Sequence, residues 1–368
     1  MEHKEENRYI FIYAWNDWIG SAHLEPDLHY GYGYLDATRQ ALKEESCLDT
    51  GYVERQVCKK QSLGISDIHF YIHCIESLGD IIACEPIVRY LKKQYSGCKI
   101  TWICKKNASA VVKYNSDLEG VVEVGCLGES MCLIEELKKD VHNIIVDCHF
   151  NGRYCGVTDK IHRNLINPQI NEHTYYNYGP LLMNFSLTAG LPPLRDAPQF
   201  HFNPLLQKFE QIDGKYVVFH CKSSENSRDW SLDKWNVLAE KIISEGYYVI
   251  EVGLEPQITL KNEKYFDFTK VHDVQKIGKI IENAFCFIGI DSAFAHLANC
   301  VGTYGILIFG KYRSFDRPMA YTGDYSTGVN ATIIFAEKNQ PAVEVSVNDV
   351  FEAFKRKERE QTFQFVKE

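Results

Sequence analysis

Short apolar runs alternate with longer stretches of helical periodicity along most of this chain. In the first block the runs predict strands near residues 69–75, 99–104, 120–124 and 143–148, with helices near 81–95 and 130–139 separating some of them. A Pro-rich stretch from Leu191-Pro192-Pro193-Leu194 to Pro204 interrupts the pattern. The alternation then restarts, with strands near 216–220, 247–252, 285–290 and 305–309 and helices near 232–245, 274–283 and 293–300. Such alternation implies parallel sheets covered by helices, here in two α/β blocks that face each other. Ligands of open α/β sheets sit beyond the carboxyl ends of the strands, so the cleft between the blocks is the expected site. The predicted divisions are an appendage over 1–45, a polar linker over 46–66, an N-terminal domain over 67–200, a C-terminal domain over 201–345 and a tail helix over 346–368. Phe351 and Phe354 give that tail an apolar face, expected to pack on the body rather than on a membrane.

Composition narrows the class. The 368 residues suffice for two domains, and 45% hydrophobic with 24% charged residues fit a globular protein. Forty Lys and Arg stand against 49 Asp and Glu, a net charge of −9, which disfavours nucleic acid as the main partner. A local basic pocket for one diphosphate remains compatible with that balance. The 13 cysteines are odd in number, form no CxxC pair and mostly lie in apolar segments, as do Cys74, Cys286 and Cys300. Reduced, buried thiols explain them better than disulfides or zinc. Met1-Glu2-His3-Lys4-Glu5-Glu6 is too charged for a signal peptide, and no apolar run approaches the ~20 residues of a membrane span. A cytoplasmic protein is expected, with peripheral contact at the cytoplasmic face of the inner membrane as its closest approach to lipid.

The first strand runs through Cys74 and Ile75 into Ser77-Leu78-Gly79-Asp80 and then a helix. Gly79 suits a tight turn with close backbone approach. Pro86 either kinks a helix begun at Asp80 or sits in the first turn of one begun at Glu85. Asp80 stands at the helix start, on the cleft side. A carboxylate there can take the proton that an attacking alcohol must lose, or it can simply cap the helix; position alone favours the cap.

Two loops of the second block carry further candidate chemistry. The segment from His220 to Trp230 follows a strand and precedes a helix opened by Ser231 and Asp233. Ser223 and Ser224 can donate hydrogen bonds to a diphosphate, Arg228 can fork onto phosphate oxygens, and Lys222 can assist. A solvated polar loop fits that composition equally well. Further on, Ile288-Gly289-Ile290-Asp291-Ser292-Ala293-Phe294-Ala295-His296 takes a buried strand through a turn of small residues into a helix. The helix start offers free N–H groups to an anion, and Ser292 and Ala293 let a ligand approach them. Asp291 can orient those groups or bind a sugar hydroxyl. His296 can reach a phosphate or hydroxyl, although an ordinary helix histidine is the commoner outcome. A nucleoside diphosphate leaves as a stabilised anion, so its transfer chemistry needs charge neutralisation and a base. No DxD triplet occurs, so no divalent cation is expected to be required.

Taken together these residues resemble glycosyltransferase family 9, the family of the heptosyltransferases of lipopolysaccharide core synthesis. Ser77-Leu78-Gly79-Asp80 with Pro86 is similar to its N-terminal loop, Arg228-Asp229-Trp230 with Trp235 to its donor-phosphate loop, and Gly289 to Ala298 with Gly302-Thr303 and Phe309-Gly310 to its signature. The resemblance spans about residues 67–345. It implies a GT-B fold of two facing Rossmann-like domains, inverting direct displacement without a metal, and no cofactor beyond a nucleotide-diphosphate sugar as co-substrate. It further implies Asp80 as the catalytic base, Ser223, Ser224 and Arg228 at the donor phosphates, and Asp291, Ser292, Ala293 and His296 at the donor. The implied acceptor is a lipid-linked or oligosaccharide chain of a lipopolysaccharide or other surface glycan, with heptose one candidate sugar. The sequence departs from the family where Ser292-Ala293 replaces the common Thr-Gly, where Arg228 replaces a frequent Lys, and where Lys311-Tyr312-Arg313 replaces a proline-containing turn.

Residues 7–44 resemble a second family. Tyr13-Ala14-Trp15-Asn16-Asp17-Trp18, Leu24-Glu25-Pro26-Asp27 and Gly31-Tyr32-Gly33-Tyr34-Leu35 are similar to the C-terminal end of the WbsX-like glycan-processing barrels. A last strand and helix cannot close a barrel, so this piece reads as a remnant in which Trp15, Asn16, Asp17 and Glu25 are vestigial. The readings that compete with an active transferase are a non-catalytic module that binds a nucleotide sugar or glycan, and a nucleotide-sugar epimerase of the same architecture.

Overall fold

A computed structural model describes residues 16–17, 22–23, 48–316 and 318–365. The chain divides into two compact units, Met1–Leu48 and Asp49–Glu368. In the first, the described residues form one antiparallel pair, Asn16–Asp17 with Ala22–His23. The rest of the predicted remnant, including Trp15, Glu25 and the helix expected near 32–44, lies outside the described residues.

The second unit opens with a helix where a linker was expected. Residues Tyr52–Ser62 form an 11-residue α-helix that buries Val53 and Val57, one turn apart on one face. Asp49 and Asn167 exchange two hydrogen bonds just before it, at 2.7 and 3.0 Å. Only two apolar positions of this helix meet the core, which explains why its sequence reads as polar connector.

Each half of this unit is built on a parallel sheet. The N-terminal sheet has four strands in the spatial order Gly120–Val124, Lys99–Lys105, His69–His73, Asn143–Asp147. The C-terminal sheet has six, in the order Tyr265–Asp267, Tyr248–Glu251, Tyr216–His220, Cys286–Ile290, Gly305–Phe309, Ala331–Phe335. Counted within its own half, each follows the Rossmann order, three-two-one-four and three-two-one-four-five-six. The order reverses between the first and fourth strands, so each half opens a crevice there. The strands Tyr216–His220, Cys286–Ile290 and Gly305–Phe309 are buried at every position, as expected of central strands covered on both faces. Around them Phe219, Trp235, Leu238, Ile288 and Ile306 form the core, and the tail helix Val347–Phe365 closes it with Val350 and Phe354. The tail therefore packs on the body, as its apolar face suggests.

The helix expected over residues 81–95 is broken in two. Leu78–Ala83 forms one short helix, and Pro86 opens a second, Pro86–Gln94, where its missing N–H costs nothing. The halves meet along several contacts. The Gln275 side-chain amide donates to the Ala110 carbonyl at 2.8 Å, Thr322 Oγ1 to the Asp196 carbonyl at 2.8 Å, and the Leu181 N–H to the Ala320 carbonyl at 3.2 Å. Every described cysteine is a free thiol, and nine are buried.

Candidate functional site

Both loops singled out in the C-terminal half leave the sheet at its reversal point, between Tyr216–His220 and Cys286–Ile290. The first loop is pinned at its far end by Trp230, whose indole donates to the Val345 carbonyl at 2.8 Å and stands edge-on to Trp235. Within it Ser223 is already engaged. Its N–H donates to Asp229 Oδ1 at 2.8 Å, its hydroxyl donates to the Glu225 carbonyl at 2.7 Å, and its Oγ accepts from the Glu225 N–H. Ser223 thus shapes the loop, while Ser224 stands 3.5 Å from the Arg228 guanidinium.

Arg228 reaches across the crevice to the second loop and donates Nη1 to Asp291 Oδ2 at 3.1 Å. The guanidinium also lies 5.0 Å from the Tyr312 ring centroid. Burial alone would weaken its hold on a proton, but the Asp291 charge outweighs burial and raises its pKa further. Its Nε is buried and has no hydrogen-bond partner. An unpaired buried donor on a guanidinium is costly unless an acceptor arrives. Asp291 accepts from both oxygens: Tyr321 donates its hydroxyl to Oδ1 at 3.1 Å, and Arg228 donates to Oδ2. It aims two side chains and keeps a further acceptor site on each oxygen.

Ser292 caps the eight-residue helix Ala293–Cys300, its side chain accepting from the Ala295 N–H at 3.4 Å. His296 is buried on that helix, its ring 4.5 Å from the Tyr321 ring. Burial pushes its pKa down to about 4, with Asp291 opposing and Arg228 reinforcing the shift. The imidazole is therefore neutral near pH 7 and brings no cation to a phosphate.

The N-terminal loop meets this same helix. Gly79 is so close to it that an added Cβ would stand 3.1 Å from His296 Cδ2 and 3.2 Å from the Ala293 Cα. Asp80, the next residue, is half-buried in the first turn of its own helix. It closes a capping box: Ser77 donates both its N–H, at 3.1 Å, and its hydroxyl, at 2.6 Å, to Asp80 Oδ2. The cap and the cleft-side position therefore coexist, since both bonds use one oxygen. Burial and the Glu76 charge push the Asp80 pKa up to about 6, against the Ser77 hydrogen bonds and Arg153. A carboxyl poised there suits a general base at neutral pH.

The structure brings together Gly79, Asp80, Ala293 and His296 on one side, and Ser224, Arg228 and Asp291 on the other. Tyr176 is half-buried and feels the charges of both Asp291 and Asp80. Arg228 senses the same phenol. Beside Tyr176 a cavity of about 350 Å³ is lined by Asn177, Gly179, Phe315, Asp316, Pro318 and Met319. Its size suits a small ligand or one or two sugar rings. Sequence reading missed Tyr176, Tyr312 and Tyr321. It also passed over His220, which ends its strand at the reversal point and whose pKa burial and Arg228 push down to about 3. A lone polar residue closing an otherwise apolar strand was the available signal for His220; the tyrosines come from distant loops and left none.

Residues 194–353 match the family model of glycosyltransferase family 9 (heptosyltransferase). Over those residues the chain resembles the heptosyltransferases, and its architecture is the GT-B fold. It resembles the solved glycosyl transferase family 9 protein from Veillonella parvula DSM 2008 at 15% identity and TM-score 0.59, over 80% of this chain and 98% of that one. E. coli heptosyltransferase WaaC with ADP is similar at 13% identity and TM-score 0.58, over 79% of this chain and all of the other (100%). E. coli ADP-heptose lps heptosyltransferase II follows at 13% identity and TM-score 0.56, over 80% and 100%. Residues 1–38 match the glycosyltransferase WbsX family model. A curated relative, the uncharacterized protein WxcX of Xanthomonas campestris pv. campestris, is 34% identical over 85 residues, which are 23% of this chain and 12% of that protein. The chain thus spans about an eighth of the curated relatives it matches. Both resemblances read from the sequence are matched. Among the described residues no helix is long and apolar enough to cross a membrane.

Proposed function

We propose that the protein is an inverting glycosyltransferase that moves a sugar from a nucleotide-diphosphate donor to a hydroxyl of a surface-glycan acceptor, with no divalent cation required for transfer. The observation that carries this reading is the Arg228 guanidinium, held at the sheet reversal point with its buried Nε unpaired beside the start of helix Ala293–Cys300. Donor phosphate oxygens supply the missing acceptor, and the free N–H groups of that helix add a second positive field. Asp80 takes the proton of the acceptor hydroxyl. The alkoxide oxygen forms a bond to the anomeric carbon from the face opposite the phosphate. The bond from that carbon to the phosphate oxygen breaks, and the nucleoside diphosphate departs as an anion neutralised by Arg228. ADP-linked heptoses are the first donors to examine, because solved relatives were captured with ADP and with an ADP-heptose analogue.

One observation favours a second reading, a non-catalytic module that binds the nucleotide sugar: Asp80 already has structural work as the capping-box partner of Ser77. A thermal-shift screen with ADP, GDP, UDP and CMP tests what both readings share. One nucleoside diphosphate is expected to raise the melting temperature, since a ligand bound only to the native state stabilises it by about 2.7 kcal/mol at 100 times its Kd. No shift with any of them would contradict both. Product analysis with donor and acceptor then separates transfer from mere binding.

A further inference from the structure

Four buried or half-buried groups converge at the reversal point of the N-terminal sheet, and the transfer scheme uses none of them. His73 and Asp147 end neighbouring strands and are paired in register. His149 follows two residues after Asp147, and His162 arrives from the end of a short hairpin. One ligand atom from each lies within 4.8 Å of all the others.

Three imidazole nitrogens converge on the one carboxylate of Asp147. Ser130 Oγ stands 2.8 Å from both the Leu127 carbonyl and His73 Nε2, and so holds the far side of the His73 ring. His73 Nδ1 faces Asp147 Oδ1 at 3.0 Å. His149 has a fixed tautomer. Its Nε2 accepts the Ile75 N–H at 3.2 Å, so its Nδ1 donates to Asp147 Oδ1 at 3.0 Å. His162 places Nε2 at 2.6 Å from Asp147 Oδ2, while its buried Nδ1 has no partner that would fix the ring's tautomer.

We infer that this centre binds one divalent transition-metal ion through His73 Nδ1, His162 Nε2 and the Asp147 carboxylate. Two imidazoles and one carboxylate suit zinc, iron or cobalt rather than magnesium or calcium, which prefer all-oxygen sets. His73 carries the outer support usual for a metal-bound imidazole, its far N–H donating to Ser130. His149 stays outside the coordination sphere and hydrogen-bonds the ligating carboxylate. Through the Ile75 N–H it also ties the metal to the segment that leads to Glu76 and Asp80. The ion is thus structural: it fixes the floor under the loop of Asp80 and takes no part at the donor phosphates. The inference stands independently of the transferase reading.

The test is metal content and binding in the full chain, purified without chelator and without a histidine tag. Elemental analysis is expected to find about one transition metal per chain. After the metal is stripped, Co2+ titration is expected to give stoichiometric visible d–d absorption, and Zn2+ to restore a melting temperature lowered by stripping. His162→Gln is expected to weaken Co2+ binding at least 30-fold with its circular dichroism unchanged, and it serves if Asp147→Asn fails to fold. His149→Gln is expected to weaken binding only a few-fold. Failure of Co2+, Zn2+, Fe2+ and Mn2+ to bind the stripped chain would overturn the site. Unchanged Co2+ affinity in His162→Gln would also overturn it, by placing the metal elsewhere.

Discussion

Gly79 of the N-terminal half lies against His296 of the C-terminal half, so close that a methyl group on Gly79 would stand 3.1 Å from the imidazole Cδ2. Through this contact the helix that carries Asp80 abuts the helix that begins at Ala293, which the proposal places beside the donor phosphates. Gly79→Ala sets two effects against each other. Alanine gains about 0.5–1 kcal/mol of helical preference, while overpacking costs typically about 1–3 kcal/mol. The Ala293 backbone, 3.2 Å from the added methyl, cannot rotate away, so the cost prevails. The variant is expected to melt several degrees lower and to lose affinity for the nucleoside diphosphate, as measured by calorimetry.

Arg228 and Asp291 form the charged pair at the proposed donor site, with side-chain exposures of 20% and 8%. Arg228→Gln removes a charge-assisted contact to phosphate and leaves Asp291 with Tyr321 alone. Hydrogen bonds to charged groups contribute about 1.5–3 kcal/mol, so nucleoside diphosphate affinity is expected to fall roughly 10- to 100-fold. Arg228→Lys keeps the charge but loses the fork and is expected to fall between the two. Titration calorimetry at fixed ionic strength checks the order.

Asp80 carries a cost to stability. Its native pKa of about 6 lies above its ordinary value of 3.8, because burial and Glu76 disfavour the charged form. A group with a raised carboxyl pKa favours the native state fully below pH 3.8, and that contribution is lost as pH rises through about 6. Asp80→Asn keeps the Ser77 hydrogen bonds available and removes the charge. It is expected to melt higher than the parent above pH 6, with the difference vanishing below pH 4. The wild-type transfer rate is expected to rise with pH through about 6 as the base ionises.

Glu85 shows the opposite sign. Burial would raise its pKa, but His201, Arg89 and the Gln199 N–H outweigh burial and hold the carboxyl below its ordinary range. Its contribution to stability is present above pH 4.5 and is lost as pH falls through the depressed native value. Glu85→Gln is expected to destabilise the protein at pH 7 by about 1–3 kcal/mol, since Arg89 keeps only a neutral partner. Urea unfolding curves of parent and variant are expected to converge on acidification.

The sheets were legible where burial is complete. Tyr216–His220, Cys286–Ile290 and Gly305–Phe309 are continuous apolar runs because both faces are covered. The flanking strands Tyr265–Asp267 and Ala331–Phe335 escaped notice, being short or only half-buried. Helix Tyr52–Ser62 read as linker because only Val53 and Val57 commit it to the core. At the site, Asp80, Arg228 and the turn at Ser292 were legible as strand-end and helix-start chemistry. Their partners were not. Arg228 finds Asp291 across 63 residues, and His73 finds Asp147 across 74, through pairings that only the sheet order creates. The WbsX-like segment contributes one described antiparallel pair.

The central claim is that one crevice binds a nucleotide sugar through Arg228 and activates the acceptor through Asp80. The most direct measurement is donor affinity and acceptor-dependent transfer on the same Asp80→Asn sample, using the nucleotide sugar that the thermal-shift screen selects. The account predicts affinity within about threefold of the parent and transfer lowered by a factor on the order of 100 to 10,000, the usual range for loss of a general base. Transfer that survives unchanged, with binding intact, would contradict it.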